Sequence, residues 1–220
     1  SENSRVSRFV PGSFESSFGS WGQLEIVAAN SGISFSNPFY PKVCALEGVN
    51  LYVFDAGNSR ILKIVFDANT GSTIQEVTEI TSEQFGQVKG LTIGASLVYV
   101  SNSAGQINTI SKADDSVSAF ISAAGLDNPT GMALDESGEI KILYIANTND
   151  HNIKVYNAVT GELILEDGDT VNWGKEGIKN GEFKYPSGLA YSNTKLFVSE
   201  TDNNSTAPGG RIQVFIKPTE

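Results

Sequence analysis

The chain has 220 residues, 18% of them charged, and a formal net charge of -10. A surface of that sign repels a polyanionic backbone, and no Lys/Arg cluster interrupts it, so nucleic acid is excluded as a partner. No run approaches the roughly 18 apolar residues of a membrane span, and a single cysteine provides no disulfide framework.

From the N-terminus, Arg5–Val10 and Phe14–Phe18 alternate apolar and polar residues around Pro11-Gly12-Ser13, which predicts a hairpin. Residues 20–40 are rich in Gly, Ser and Asn and read as a long connection. Strands are then predicted at Lys42–Leu46, Asn50–Phe54, Arg60–Phe66 and Thr73–Val77, and again at Gly90–Ile93, Leu97–Val100, Gln106–Ser111 and Val117–Ile121. A third set opens at Pro129 and turns at Asn157–Gly161. An insertion over Gly168–Phe183 follows, and a fourth set runs from Pro186 to Ile216. No stretch sustains the 3.6-residue period of a helix. Cys44 falls in the apolar run Val43–Leu46, so a small buried hydrophobe is expected there.

One phrase recurs through these sets. Leu51–Ile64 is an apolar strand, a polar turn and a second strand, and Leu97–Ile110, Leu143–Tyr156 and Leu196–Phe215 repeat it. Its aromatic marker is Tyr52, Tyr99, Tyr144 and Phe197. A spacing of about 45–53 residues between strand-rich modules predicts a β-propeller. The expected fold is therefore all-β: one propeller domain over residues 1–220, with blades at about 41–79, 88–122, 128–166 and 183–217 and a partial blade at 1–20.

The pattern Pro-x-Gly-x-Ala, then Leu-Tyr-Val-x-Asp-x-x-Asn-x-Arg-Ile, then Asp-x-x-Thr-Gly resembles the NHL repeat. Asp55–Ile61 matches it best, and the second unit is worn, with Val88-Lys89-Gly90 at its start and Gln106 in place of the arginine. The resemblance covers nearly the whole chain and implies a propeller. It does not single out an activity, because such propellers include binding modules and enzymes.

Two site hypotheses follow. The residue closing the second strand is Asp55, Asn102, Asn147 or Glu200, with Glu2 at the corresponding place in the partial unit. Such positions gather around one end of a propeller channel. Their hard oxygen ligands resemble the Ca²⁺ sites of lactonase-like propeller hydrolases. Against this, an Asp or Asn at a strand end commonly holds the following turn through hydrogen bonds to backbone. Zinc chemistry of the amidating-lyase kind needs several imidazoles, and His151 is the only histidine. Asn203 and Asn204 are overlapping N-glycosylation acceptors in the lengthened fourth turn; their use would put the protein outside the cell.

The function expected is a non-enzymatic interaction scaffold or assembly subunit, with no catalytic residue and no cofactor. A calcium-dependent hydrolase is the alternative. Because Arg5–Val10 begins in mid-repeat and no fourth strand follows Ile216, the sequence reads as cut from a longer protein or completed by a neighbour. Completion through open blade edges would give self-association or a filament. Arg60 is expected to be structural, forming a charge-assisted hydrogen bond with Asp55 or with backbone carbonyls of a neighbouring blade.

Overall fold

The computed structural model describes residues 31–33, 39–69, 73–122, 125–166, 169–170, 172–201 and 210–216. The expected N-terminal hairpin, Glu2, Asn203 and Asn204 lie outside these residues. The chain divides into two compact units, Ser1–Val88 and Lys89–Glu220.

In the first unit, β1 (Pro41–Glu47), β2 (Asn50–Asp55), β3 (Arg60–Phe66) and β4 (Ile74–Ile80) form one antiparallel sheet in chain order. Period-2 alternation splits β2 between two faces. Leu51 and Val53 join Leu62, Ile64, Phe66 and Val77 in a core that Ile33 and Phe39 help to close. The expectation of a buried Cys44 is corrected: its side chain is exposed. It lies on the edge strand β1, whose alternate residues Lys42, Cys44 and Leu46 all face solvent.

The next sheet opens at the boundary between the units and contains β5 (Val88–Ile93), β6 (Leu97–Asn102), β7 (Ile107–Ser111) and β8 (Val117–Ile121), again in chain order. The third is built from β9 (Pro129–Asp135), β10 (Ile142–Asn147) and β11 (Asn152–Asn157). The pieces β12 (Leu165–Glu166) and β13 (Asp169–Thr170) pair only with each other, and β14 (Asn172–Trp173) takes the outer place beside β11. The outer strand is thus drawn from the stretch that the sequence presents as an insertion. Among the described residues the last sheet has three strands, β15 (Pro186–Ser192), β16 (Lys195–Glu200) and β17 (Arg211–Ile216). No helix occurs among the described residues, so none is long and apolar enough to cross a membrane.

Within the second unit the sheets pack in sequence. Tyr99, Ile107 and Ile121 of the second sheet meet Leu143 and Ile145 of the third. The opposite face of the third sheet, with Tyr144 and Ile153, packs on Leu196 and Val198 of the last. Alternation along β10 alone explains how one strand serves both cores.

Two local devices recur. Pro41, Pro129 and Pro186 each sit at a register shift where the first strand meets the second. Proline has no N–H for the ladder, so a bulge at the strand start accommodates it. Two residues further on, Gly131 lies against the backbone of β15, and Gly90 lies against Thr130. Hydroxyls span the same seam. Ser101 Oγ donates to Thr130 O at 2.7 Å, Thr130 Oγ1 to Ser187 O at 3.0 Å and Thr148 Oγ1 to Pro186 O at 2.8 Å. Each hydroxyl supplies a donor to a backbone carbonyl of the following sheet.

The aromatic marker is core in the first three sheets, while Phe197 of the last is half-buried. Tyr52, Tyr99 and Tyr144 are buried, and Tyr99 Oη donates to Ala158 O at 2.7 Å. Burial pushes the Tyr99 hydroxyl up to about 12, and the Glu136 carboxylate adds to the shift. Tyr144 is raised further, chiefly by burial and then by Asp135 and Tyr191. Both phenols favour the neutral form in the fold. Their contribution to stability is full below the unfolded value of about 10 and is lost as pH rises through about 12 for Tyr99. A spectrophotometric titration is expected to show at least these two tyrosines ionising only together with alkaline unfolding. Ionisation of every tyrosine near pH 10 in the folded protein would contradict it.

Candidate functional site

The four predicted site residues each close a second strand, and all four are buried. Asp55 ends β2. Its Oδ1 accepts the Tyr40 N–H at 3.0 Å, and its Oδ2 accepts Asn58 Nδ2 at 2.7 Å and Arg60 Nε at 3.2 Å. Arg60 opens β3 directly opposite, as the strand register requires, and its Nη1 reaches Glu79 Oε2 at 3.2 Å. Of the two partners expected for Arg60, Asp55 is in place.

Asn102 ends β6 and performs the same task without charge. Its Oδ1 accepts the Ala104 and Gln106 N–H groups at 3.0 and 3.1 Å, and its Nδ2 donates to Gln106 Oε1 at 3.2 Å. Asn147 ends β10. Its Oδ1 accepts the Asp127 N–H at 2.6 Å, while its Nδ2 donates to Asp150 Oδ2 and Asn152 Oδ1 at 2.8 and 3.2 Å. Glu200 ends β16. Its Oε2 accepts the Lys184 N–H at 2.7 Å; its Oε1 accepts Arg211 Nε at 2.6 Å and Gln213 Nε2 at 2.8 Å.

The common chemistry is a buried side-chain oxygen satisfied by N–H donors. At three corners one of those donors belongs to the segment that leads into the first strand of the same sheet: Tyr40, Asp127 or Lys184. A backbone bond runs beside it, from Ala56 N–H to Tyr40 O, Asn149 N–H to Asp127 O and Thr201 N–H to Tyr185 O. The corners therefore tie each sheet's entry to its second strand. The bonds just described for Asn102, Asn147 and Glu200, which share a unit, stay within the residue's own sheet or its flanking loops. Among the described residues no group of three or more His, Cys, Asp or Glu is placed to hold a metal ion.

Arg211 extends the last corner. Its Nη1 donates to Ile178 O, and its Nη2 to Lys179 O at 3.1 Å and Glu182 O at 2.6 Å. The guanidinium fork thus clamps the loop before β15. His151, in the turn where the sequence places it, has a specific partner: its Nδ1 accepts the Tyr185 N–H at 3.1 Å. That bond links the third sheet's turn to the entry of the last sheet.

A second feature escaped sequence reasoning. Ile212, Val214 and Ile216 of β17 share a face with Phe197 of β16, and all three are exposed. The residues equivalent to Ile212 in the other sheets, Ile61, Ile107 and Ile153, are fully buried. Nothing in the Arg-Ile motif distinguishes them.

No protein-family model and no curated protein matches the chain. Solved structures do match. A structural genomics protein of unknown function from Bacteroides thetaiotaomicron aligns with a TM-score of 0.52 and 21% identity, over 73% of this chain and 44% of that one. An auxiliary nutrient binding protein from the same organism aligns with a TM-score of 0.52 and 11% identity, over 78% of this chain and 49% of that one. The computationally designed Ika4 protein gives a TM-score of 0.47 at 16% identity, over 83% of this chain and 94% of that one. The chain spans just under half the length of the two Bacteroides proteins. At these identities the likeness speaks to an all-β, multi-sheet fold alone.

Proposed function

We propose that this chain is a non-enzymatic β-propeller of NHL-like units, acting as an interaction scaffold or assembly subunit. The propeller assignment is supported by the repeated sequence phrase, by sheets that meander in chain order, and by the serial packing of the second, third and last sheets. The observation that carries the function is the exposed apolar face of the last sheet: a row of Ile212, Val214 and Ile216 on a protein otherwise rich in acid. Contiguous apolar surface of that kind marks contact sites on soluble proteins.

The corner oxygens support the same conclusion. Asp55 and Glu200 already accept N–H donors, and a cation would have to displace those bonds. Elemental analysis and calcium titration decide the matter: no stoichiometric calcium and no calcium-dependent rise in melting temperature are expected. About one calcium per chain, lost in Asp55→Ala, would replace the scaffold by a calcium-dependent hydrolase. An extracellular location is part of the proposal and rests on Asn203 and Asn204. Protein from its native source is expected to lose mass on treatment with an N-glycosidase; an unchanged mass would withdraw it.

A further inference from the structure

We propose that Asn180 is a modification site: its carboxamide is lost through a cyclic imide formed with Gly181 N, and the side chain of Gln213 controls the rate. The inference concerns the loop before β15 and does not depend on the scaffold assignment above.

Asn180-Gly181 is the only Asn-Gly pair in the chain. Glycine leaves its nitrogen the least obstructed for attack on the preceding side chain, because it carries no Cβ. The pair forms the centre of a tight turn, in which the Glu182 N–H donates to Lys179 O at 3.1 Å. Asn180 is exposed, so water reaches its carboxamide. Gly181 has φ +80° and Asn180 a negative φ, the combination of a type II turn.

The chemistry needs water alone as co-reactant. Gly181 N loses its proton to hydroxide and attacks Asn180 Cγ. The N–Cγ bond forms, the Cγ–Nδ2 bond breaks, and Nδ2 takes a proton from water and leaves as ammonia. Water then opens the imide at one of its two carbonyls. Attack at Cγ gives aspartate; attack at the backbone carbon gives isoaspartate, whose main chain runs through Cγ.

The folded turn resists the first step. A type II turn holds ψ of its second residue near about +120°, which turns Gly181 N away from the Asn180 side chain. The turn must therefore open before the ring can close. Its fastenings come from β17. The Gly181 N–H donates to Gln213 Oε1 at 3.0 Å, and Gln213 Nε2 donates to Glu182 O at 2.8 Å. Arg211 Nη2 holds Lys179 O and Glu182 O at 3.1 and 2.6 Å. Gln213 thus binds the attacking nitrogen itself, and a hydrogen bond to the protonated form disfavours loss of that proton. Gln213 is buried and is itself fixed by Glu200 Oε1 at 2.8 Å. Isoaspartate adds a methylene to the main chain inside the turn, which changes the spacing of the two carbonyls that Arg211 matches.

Peptide mapping of the full chain, aged for several weeks at mildly alkaline pH and body temperature, tests this. A synthetic peptide covering Lys175–Lys184 is the open reference. Asn180 is expected to be the first asparagine among the described residues to gain the mass of an amide-to-acid exchange, and to become a substrate for an isoaspartyl methyltransferase. Its rate should be at least about tenfold below that of the peptide, the effect of one or two hydrogen bonds that must open first. Gln213→Met, of similar length but without the amide, should raise the rate about tenfold toward the peptide value. Asn58 and Asn102, each followed by serine, should change no faster in the variant than in the parent. An intact Asn180 in the aged parent, while the peptide converts, would overturn the site. A parent that reacts as fast as the peptide would overturn the control by Gln213, as would an unchanged rate in Gln213→Met. An equal rise at Asn58 and Asn102 in the variant would assign the acceleration to general unfolding and overturn that control too.

Discussion

Arg60→Ala is expected to lower stability by about 3 kcal/mol, the lower end of what removing one partner of a buried ion pair costs. Arg60 is 3% exposed and Asp55 0%. Truncation leaves the Asp55 carboxylate buried with the Tyr40 N–H and Asn58 Nδ2 as its named donors, and Glu79 loses its partner too. Lysine should restore only part of the loss, because one ammonium cannot reproduce the Nε and Nη1 fork that bridges two carboxylates. The protein contains its own control. At the next corner Asn102 and Gln106 do the same work as a neutral pair. The double variant Asp55→Asn/Arg60→Gln is therefore expected to be more stable than Arg60→Ala alone, which a double-mutant cycle in urea would measure. An Arg60→Ala protein within about 0.5 kcal/mol of the parent, the usual range for surface changes, would sink the claim.

Gly131→Ala is expected to cost about 3 kcal/mol or more, at the upper end for overpacking, and to lower the yield of folded protein. A Cβ built at Gly131 falls 2.3 Å from Ser187 O and 2.9 Å from Leu189 N, both backbone atoms of the neighbouring sheet. Neither can rotate away, so β9 and β15 must separate. Separation also lengthens the Thr130 Oγ1 bond to Ser187 O in the same seam. Gly188→Ala is the comparison. Its Cβ meets Ser199 Oγ at 2.6 Å, the end of a side chain that can change rotamer. The loss at Gly188 should be clearly smaller. Equal melting temperatures for the two variants would show that contact with backbone is not what matters.

These positions also mark how far the sequence can be read. The second-strand phrase is explicit because β2, β6 and β10 are buried on both faces and must be apolar almost throughout, as Leu51–Phe54 and Leu143–Ala146 are. The proline–glycine starts are legible because both residues answer backbone constraints, a missing donor and a close approach. The corner residues stand out for the same reason, yet their type is ambiguous. A buried oxygen that accepts N–H donors and one that binds a hard cation call for the same Asp, Asn or Glu. Only the distances to the Tyr40, Asp127 and Lys184 N–H groups show which donors are in place.

What the sequence hides is set by long-range packing. Ile212 looks like Ile61 because burial depends on what lies above the sheet and not on the strand's own pattern. The side chain of Cys44 is exposed because β1 is an edge strand, a fact about neighbours in space. The outer place of the third sheet falls to the two residues Asn172–Trp173, too short a segment for alternation to register.

The meander order of the sheets bears on how the protein is made. Each main sheet joins strands that follow one another along the chain, so most of its pairing is between close sequence neighbours. That lowers contact order relative to Greek-key proteins and favours rapid formation of each sheet as it leaves the ribosome. The stacking between sheets is different, because the face that a sheet turns toward the next one waits for side chains translated later. Tyr144 and Ile153 are complete roughly forty residues before Leu196 and Val198 arrive to cover them. During that interval the nascent third sheet presents a sticky surface, and a pause in translation there would favour aggregation or chaperone capture over folding.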